Sequence, residues 1–168
     1  VLHAAARICA QRSSGARAVV VHGVGRHFSV GGNPFQRDEH PVPLAAAATG
    51  MLSMYSGFAA LYQVHMPIVC AVHGVLVGGG VAACMSTDHV VAESGATFEH
   101  GNLVRGVSPL GLLSQTLPTA TGLARALRTY LGNEVLDAAS ARQARLVHEV
   151  CEHGVAAAHA SALATAIV

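Results

Sequence analysis

The stretch "MPIVCAVHGVLVGGGVAACMSTDHVVA", residues 66 to 92, constrains the fold more than any other part of the chain. Its first nine residues are apolar without alternation, as in a strand covered on both faces. Three consecutive glycines, Gly78, Gly79 and Gly80, then separate this apolar run from a helix-like run, and "HVVAES" (89–94) returns to a strand. The same order occurs earlier: "ARAVVVHG" (16–23) is a β-branched run closed by glycine, and it leads into the loop "HFSVGGN" (27–33).

The remaining segments continue the alternation. Residues 1–12 read as a helix with an apolar stripe of Leu2, Ala5, Ala6, Ile8 and Cys9, and 44–64 as a long helix. Residues 95–103 are extended or looped, helices follow near 110–117, 121–131 and 137–144, 146–150 is a short strand, and 154–167 is an alanine-rich helix. Strands alternating with helices imply an α/β domain with a mostly parallel sheet between helical layers. At 168 residues one domain, 1–168, is expected. The segment "RDEHPVP" (37–43) is the most polar and is expected to be exposed and mobile.

Composition removes several chemistries. There is no lysine, so no Schiff base and no lysine proton donor. A net charge of +1 gives no electrostatic case for nucleic acid. Cys9, Cys70, Cys84 and Cys151 form no C-x-x-C, and the histidines form no H-x-x-x-H beside a carboxylate, so no metal site is expected. No apolar run reaches the roughly 18 residues of a membrane span. The N-terminus has no basic-then-apolar signal layout and reads as cut from something longer. The expected setting is cytoplasmic, or an organellar or plastid lumen if the chain is part of a larger one. Hydrophobic residues make up 52% and charged residues 11%, which suggests surface buried against other subunits.

Glycines let a backbone approach a ligand closely with N–H groups free. Two such loops side by side can aim two N–H groups at one oxygen, and that is an oxyanion hole. A thioester carbonyl that becomes an enolate needs this stabilisation.

At this point the residues resemble a family. "HFSVGGNPF", then residues 66–118 from "MPIVCAVHGVLVGGG" to "LLSQTLP", then "ALRTYLGNEVLDAASARQARLVHEV", are similar in order and spacing to the crotonase (enoyl-CoA hydratase/isomerase) superfamily. The resemblance implies a ClpP/crotonase-type spiral of ββα units, truncated here at both ends. It implies oxyanion donors at the N–H groups of Val30 and Gly79. Phe28, Gly31, Gly32, Gly78, Gly80, Ala82 and Arg105 are the expected substrate-binding residues, with Arg105 either on a phosphate of CoA or of the carrier, or a surface arginine. No separate cofactor is implied, because an acyl-CoA or phosphopantetheine thioester is the substrate. The implied partners are acyl-CoA or an acyl carrier protein, in a homotrimer or hexamer, with no nucleic acid and no membrane. The alanine-rich segment 154–167 is the expected assembly contact.

Two positions depart from the family pattern. Hydratases carry a glutamate two residues after G-G-G and another at the end of F-x-x-P-E; here those places hold Ala82 and Asn102. Neither can take a proton at neutral pH. Decarboxylation needs an enolate-stabilising pocket but no base to start. Decarboxylating members of the superfamily from polyketide assembly lines also lack these glutamates, and their loop F-S-M-G-G-T is close to "FSVGGN" here. If "TFEHGN" is extended, Phe98, His100 and Asn102 point one way and Glu99 the other, which offers His100 as a proton donor beside Asn102. Asp38, Glu39 and His40 lie where the family's lid sits. The alternatives are a hydratase or isomerase with unconventional acid/base groups, and a non-catalytic domain that keeps the fold.

Overall fold

The computed structural model describes residues 15–32, 43–109 and 111–168. The helix expected over 1–12 and the polar segment holding Asp38, Glu39 and His40 lie outside the described residues.

The chain folds as β1 (Val19–His22), α1 (Leu44–Leu61), β2 (Ile68–Val72), β3 (Val75–Val77), α2 (Gly79–Cys84), β4 (His89–Glu93) and β5 (Thr97–Glu99). It continues as a 3-10 turn (Leu103–Arg105), α3 (Leu113–Thr121), α4 (Leu123–Leu131), β6 (Val135–Asp137), α5 (Ala138–Gln143), β7 (Glu149–Cys151) and α6 (Ala156–Ile167). The strands form two sheets. The first, in the order β1-β2-β4-β7, is parallel throughout. In the second, β3-β5-β6, the first pair is parallel and the second antiparallel. Twice the chain passes from a first-sheet strand directly to a second-sheet strand and then to helix: β2, β3, α2, and β4, β5, α3. This is the expected ββα winding.

The long apolar runs became the centre of the first sheet, with all five residues of β2 buried. One face carries the main core, where Val72, Val90 and Ala92 meet Phe58, Val81, Leu113 and Leu146. The other face packs on α6, whose Ala156, Ala160 and Ala164 recur every four residues and lie against Val69, Ala71 and Val91. The small-residue face of 154–167 is thus covered by the chain's own sheet, and the assembly contact expected of this segment falls to its outward residues.

The structure differs from the sequence expectation in three ways. β3, β5 and β6 are only three residues long, too short for alternation to register. The last strand begins at Glu149 rather than at 146, because Leu146 and Val147 are drawn into the main core before the strand starts. And α1 is an 18-residue helix long and apolar enough to cross a membrane by length and composition alone, contrary to the expectation that no run reaches that length. Gly57, Phe58, Ala60 and Leu61 near its C-terminus are buried, and most of its remaining residues are exposed.

Candidate functional site

The site forms where β3 delivers the three glycines. Ser29 pairs with Leu76 as an isolated parallel bridge. Its N–H donates to the Val75 carbonyl at 3.2 Å and its carbonyl accepts from Val77 N–H at 2.9 Å. This pairing holds the loop from Val30 to Gly32 beside the end of β3. Gly78 then takes φ 55° and ψ −110°, a conformation open essentially to glycine alone, and turns the chain into α2. Gly79 is the first helical residue, where an N–H has no partner within the helix.

A cleft of about 450 Å³ is lined by Val30, Gly31, Gly32, Gly78, Gly79, Gly101, Asn102 and Arg105, with Val77 and Val107 as its apolar wall. The two residues expected to supply oxyanion donors thus line one cleft, together with Asn102. No carboxylate lines it among the described residues. The Asn102 side chain faces the glycine turn: a Cβ placed on Gly78 would stand 3.2 Å from its Oδ1. Its Nδ2 donates to the Ser108 carbonyl at 3.0 Å, which fixes the amide's orientation. A second cleft, of about 510 Å³, shares Gly31, Gly32 and Gly79 with the first. It adds Gly80 and the apolar side chains of Phe28, Met54 and Phe58. Phe28 and Gly80 therefore belong to this apolar side rather than to the cleft of Asn102.

Three expected site residues are placed otherwise. Ala82 is fully buried and lines neither cleft; Gly111 and Phe58 close over it, and a Cβ on Gly111 would meet the Ala82 Cβ at 2.8 Å. A longer side chain there would have to be accommodated inside the core.

His100 is also displaced from its expected role. It lies inside, 2% exposed, with its ring edge against Tyr130 at 4.9 Å between centroids and with Phe98, Leu117 and Leu136 around it. Both ring nitrogens lack a hydrogen-bond partner, and burial pushes the ring's pKa below its ordinary value. Alternation holds from Phe98 to His100, which both face the interior, and fails at Gly101, whose φ of 68° turns Asn102 away from them to the cleft. His100 is therefore not a proton donor in the cleft.

Arg105 lines the cleft, but its guanidinium is turned to the protein. Nη1 donates to the Gly101 carbonyl at 2.6 Å and approaches Glu99 Oε1 at 3.4 Å. It completes a polar group that the sequence did not single out. Asn133, on the turn before β6, accepts from Gly101 N–H at 2.8 Å and donates to Glu99 Oε1 at 3.1 Å.

With this geometry in hand, likeness to known proteins is informative. The family model described as Enoyl-CoA hydratase/isomerase matches residues 6–168. A Mycobacterium leprae protein named probable enoyl-CoA hydratase echA12 is 32% identical over 139 residues, 78% of this chain and 47% of that protein. A Mycobacterium tuberculosis protein, named as a (7aS)-7a-methyl-1,5-dioxo-2,3,5,6,7,7a-hexahydro-1H-indene-carboxyl-CoA hydrolase, is 32% identical over 146 residues, 82% of this chain and 54% of that one. The chain spans about half the length of these curated relatives. The structure of DspI from Pseudomonas aeruginosa superposes with a TM-score of 0.90 at 28% identity, covering 99% of this chain and 63% of that one.

Proposed function

The chain belongs to the enoyl-CoA hydratase/isomerase family, and on that premise we propose that its cleft binds an acyl thioester and stabilises the enolate without a carboxylate base. The thioester carbonyl oxygen sits between the N–H groups of Val30 and Gly79. The neutral Asn102 amide lies on the other side of the turn and positions the acyl group. The apolar second cleft accepts the acyl chain past Phe28, Met54 and Phe58.

The reaction that this arrangement suits is decarboxylation of a β-carboxylated or vinylogous acyl thioester. Carbon dioxide leaves, and the electron pair of the broken C–C bond moves onto the carbonyl oxygen as the enolate forms. A proton from solvent then ends on carbon. No protein base is needed to start it. Hydration is different: it needs proton transfers worth about 10²- to 10⁴-fold each, and the two positions that supply them in hydratases hold Ala82 and Asn102. Backbone donors remain worth about 10²- to 10³-fold apiece.

The observation that carries this reading is the convergence of Val30, Gly79 and Asn102 on one cleft that no carboxylate lines among the described residues. The relative named as a CoA hydrolase supports it in kind, since its name too describes a CoA ester consumed by a reaction other than hydration. The carrier is CoA in this reading, with a carrier-protein thioester as the variant that a polyketide role requires. The test is mass spectrometry of a panel of acyl thioesters, CoA-bound and carrier-bound, incubated with the full-length protein. Loss of 44 mass units from carboxylated members is the expected result. Gain of 18 on simple enoyl members would instead support an unconventional hydratase, and no change anywhere would leave the domain a structural one.

A further inference from the structure

We infer that Asn133 is a positioning residue for the cleft, holding the Gly101 turn so that Asn102 faces the thioester. This inference rests on the function proposed above. The antiparallel ladder of β5 and β6 pairs Glu99 with Val135. Carried two residues further, that register sets Gly101 opposite Asn133, but Gly101 has φ 68° and the ladder has ended. Asn133 continues it with a side chain. Its Oδ1 accepts the Gly101 N–H at 2.8 Å and its Nδ2 donates to Glu99 Oε1 at 3.1 Å. From the other side the Arg105 guanidinium takes the Gly101 carbonyl at 2.6 Å.

Both polar groups of one glycine peptide segment are thus gripped by side chains, and Glu99 ties the two grips together. Asn133 itself has φ 46°, a left-handed conformation costly for most side chains and easier for asparagine. Strain of this kind persists where surrounding structure enforces it, and it gathers at functional sites. The consequence sits one residue away. The direction of Gly101 decides that Asn102 enters the cleft and does not follow Phe98 and His100 into the core. An error of about 1 Å in a positioned group can cost about 10²-fold in rate, so the grip on Gly101 bears on chemistry that Asn133 does not touch.

The experiment uses Asn133→Gly, chosen because glycine tolerates the left-handed backbone, with Asn102→Ala and Asn133→Asp beside it in the full-length protein. Two signals are read by NMR: exchange of the Gly101 amide, and the carbonyl shift of bound butyryl-CoA labelled with ¹³C at the thioester carbon. In Asn133→Gly the Gly101 amide should exchange about 3- to 10-fold faster, as loss of one ordinary hydrogen bond allows. The carbonyl shift should fall to the Asn102→Ala value. Asn133→Asp keeps an acceptor for Gly101 but places a carboxylate against Glu99. It loses the donor to Glu99 and should restore the shift only in part.

Unchanged Gly101 exchange, or a full wild-type shift in Asn133→Gly, overturns the inference. A wild-type protein that leaves the carbonyl unshifted contradicts the thioester reading instead. The grip is then judged by the amide exchange together with the Asn102 side-chain resonances, which move in Asn133→Gly if Asn133 holds the turn and stay if it does not.

Discussion

The glycine turn at 78–80 and the turn at 100–102 meet across one cleft, yet they are built in opposite ways. The first works through its backbone. β3 and the Ser29 bridge deliver it, α2 receives it, and no side chain takes part. The second works through side chains. Asn102 donates to the Ser108 carbonyl, and the Gly101 turn beside it is held by Arg105 and Asn133, which both reach Glu99. A backbone device tolerates no added bulk but is indifferent to side-chain chemistry. A side-chain device tolerates bulk at its edges but depends on each polar partner.

The largest expected effect breaks the idea that this site is a hydratase with one residue changed. Ala82→Glu puts a carboxylate at a fully buried core position, where even a methyl added to Gly111 would stand 2.8 Å from the alanine methyl. An uncompensated buried charge costs about 3–5 kcal/mol, so urea unfolding should show severe loss of stability and assays no gain of crotonyl-CoA hydration. A stable variant that hydrates would show that the cleft extends to residue 82.

Next in size is the backbone device itself. A Cβ on Gly80 would stand 2.6 Å from the Ser29 Cβ and 2.9 Å from Leu76 Cδ1. Gly80→Ala should cost about 1–3 kcal/mol as overpacking does and should pry the Val30 loop from the glycine turn, lowering turnover as well as the unfolding midpoint. Gly50, in the exposed part of α1 with open space around it, is the contrast. There alanine should be neutral or stabilising by up to about 1 kcal/mol.

A smaller effect sharpens the account of His100. Its pKa is held below the ordinary value of 6.5 by burial. The unfolded chain therefore binds the proton first, so stability is complete above about pH 6.5 and falls as pH drops through that value. His148 is shifted in the same direction and adds to the effect. Urea midpoints measured between about pH 7 and about pH 5 should decline in the wild type and decline less in His100→Phe. Equal slopes in the two proteins would mean that His100 is not the neutral interior ring described.

This contrast also accounts for what the sequence could tell. Uninterrupted apolar runs and glycine clusters are strong local signals, and they located β1, β2, β4 and the turn into α2 to within a few residues. The pairing of Val30 with Gly79 on one cleft followed from the same signals and from family likeness. The short strands β3, β5 and β6 left no periodicity to read. The separation of His100 from Asn102 was hidden for another reason: alternation assumes extended backbone, and one left-handed glycine at 101 breaks it between them. Arg105 reads as a surface cation until Gly101 and Glu99 are seen beside it, and Asn133 joins the site through a register that no single-sequence pattern encodes.

The most direct measurement of the central claim is a rate comparison on the full-length protein: decarboxylation of glutaconyl-CoA against hydration of crotonyl-CoA, each with the wild type and with His100→Ala. The account expects decarboxylation to exceed hydration by at least about 10²-fold, the contribution of one missing acid–base group, with His100→Ala changing stability and leaving the ratio intact. Hydration as fast as decarboxylation would contradict it, because a proton-transfer group would then have to stand in a cleft where only backbone N–H groups and the Asn102 amide are proposed to act.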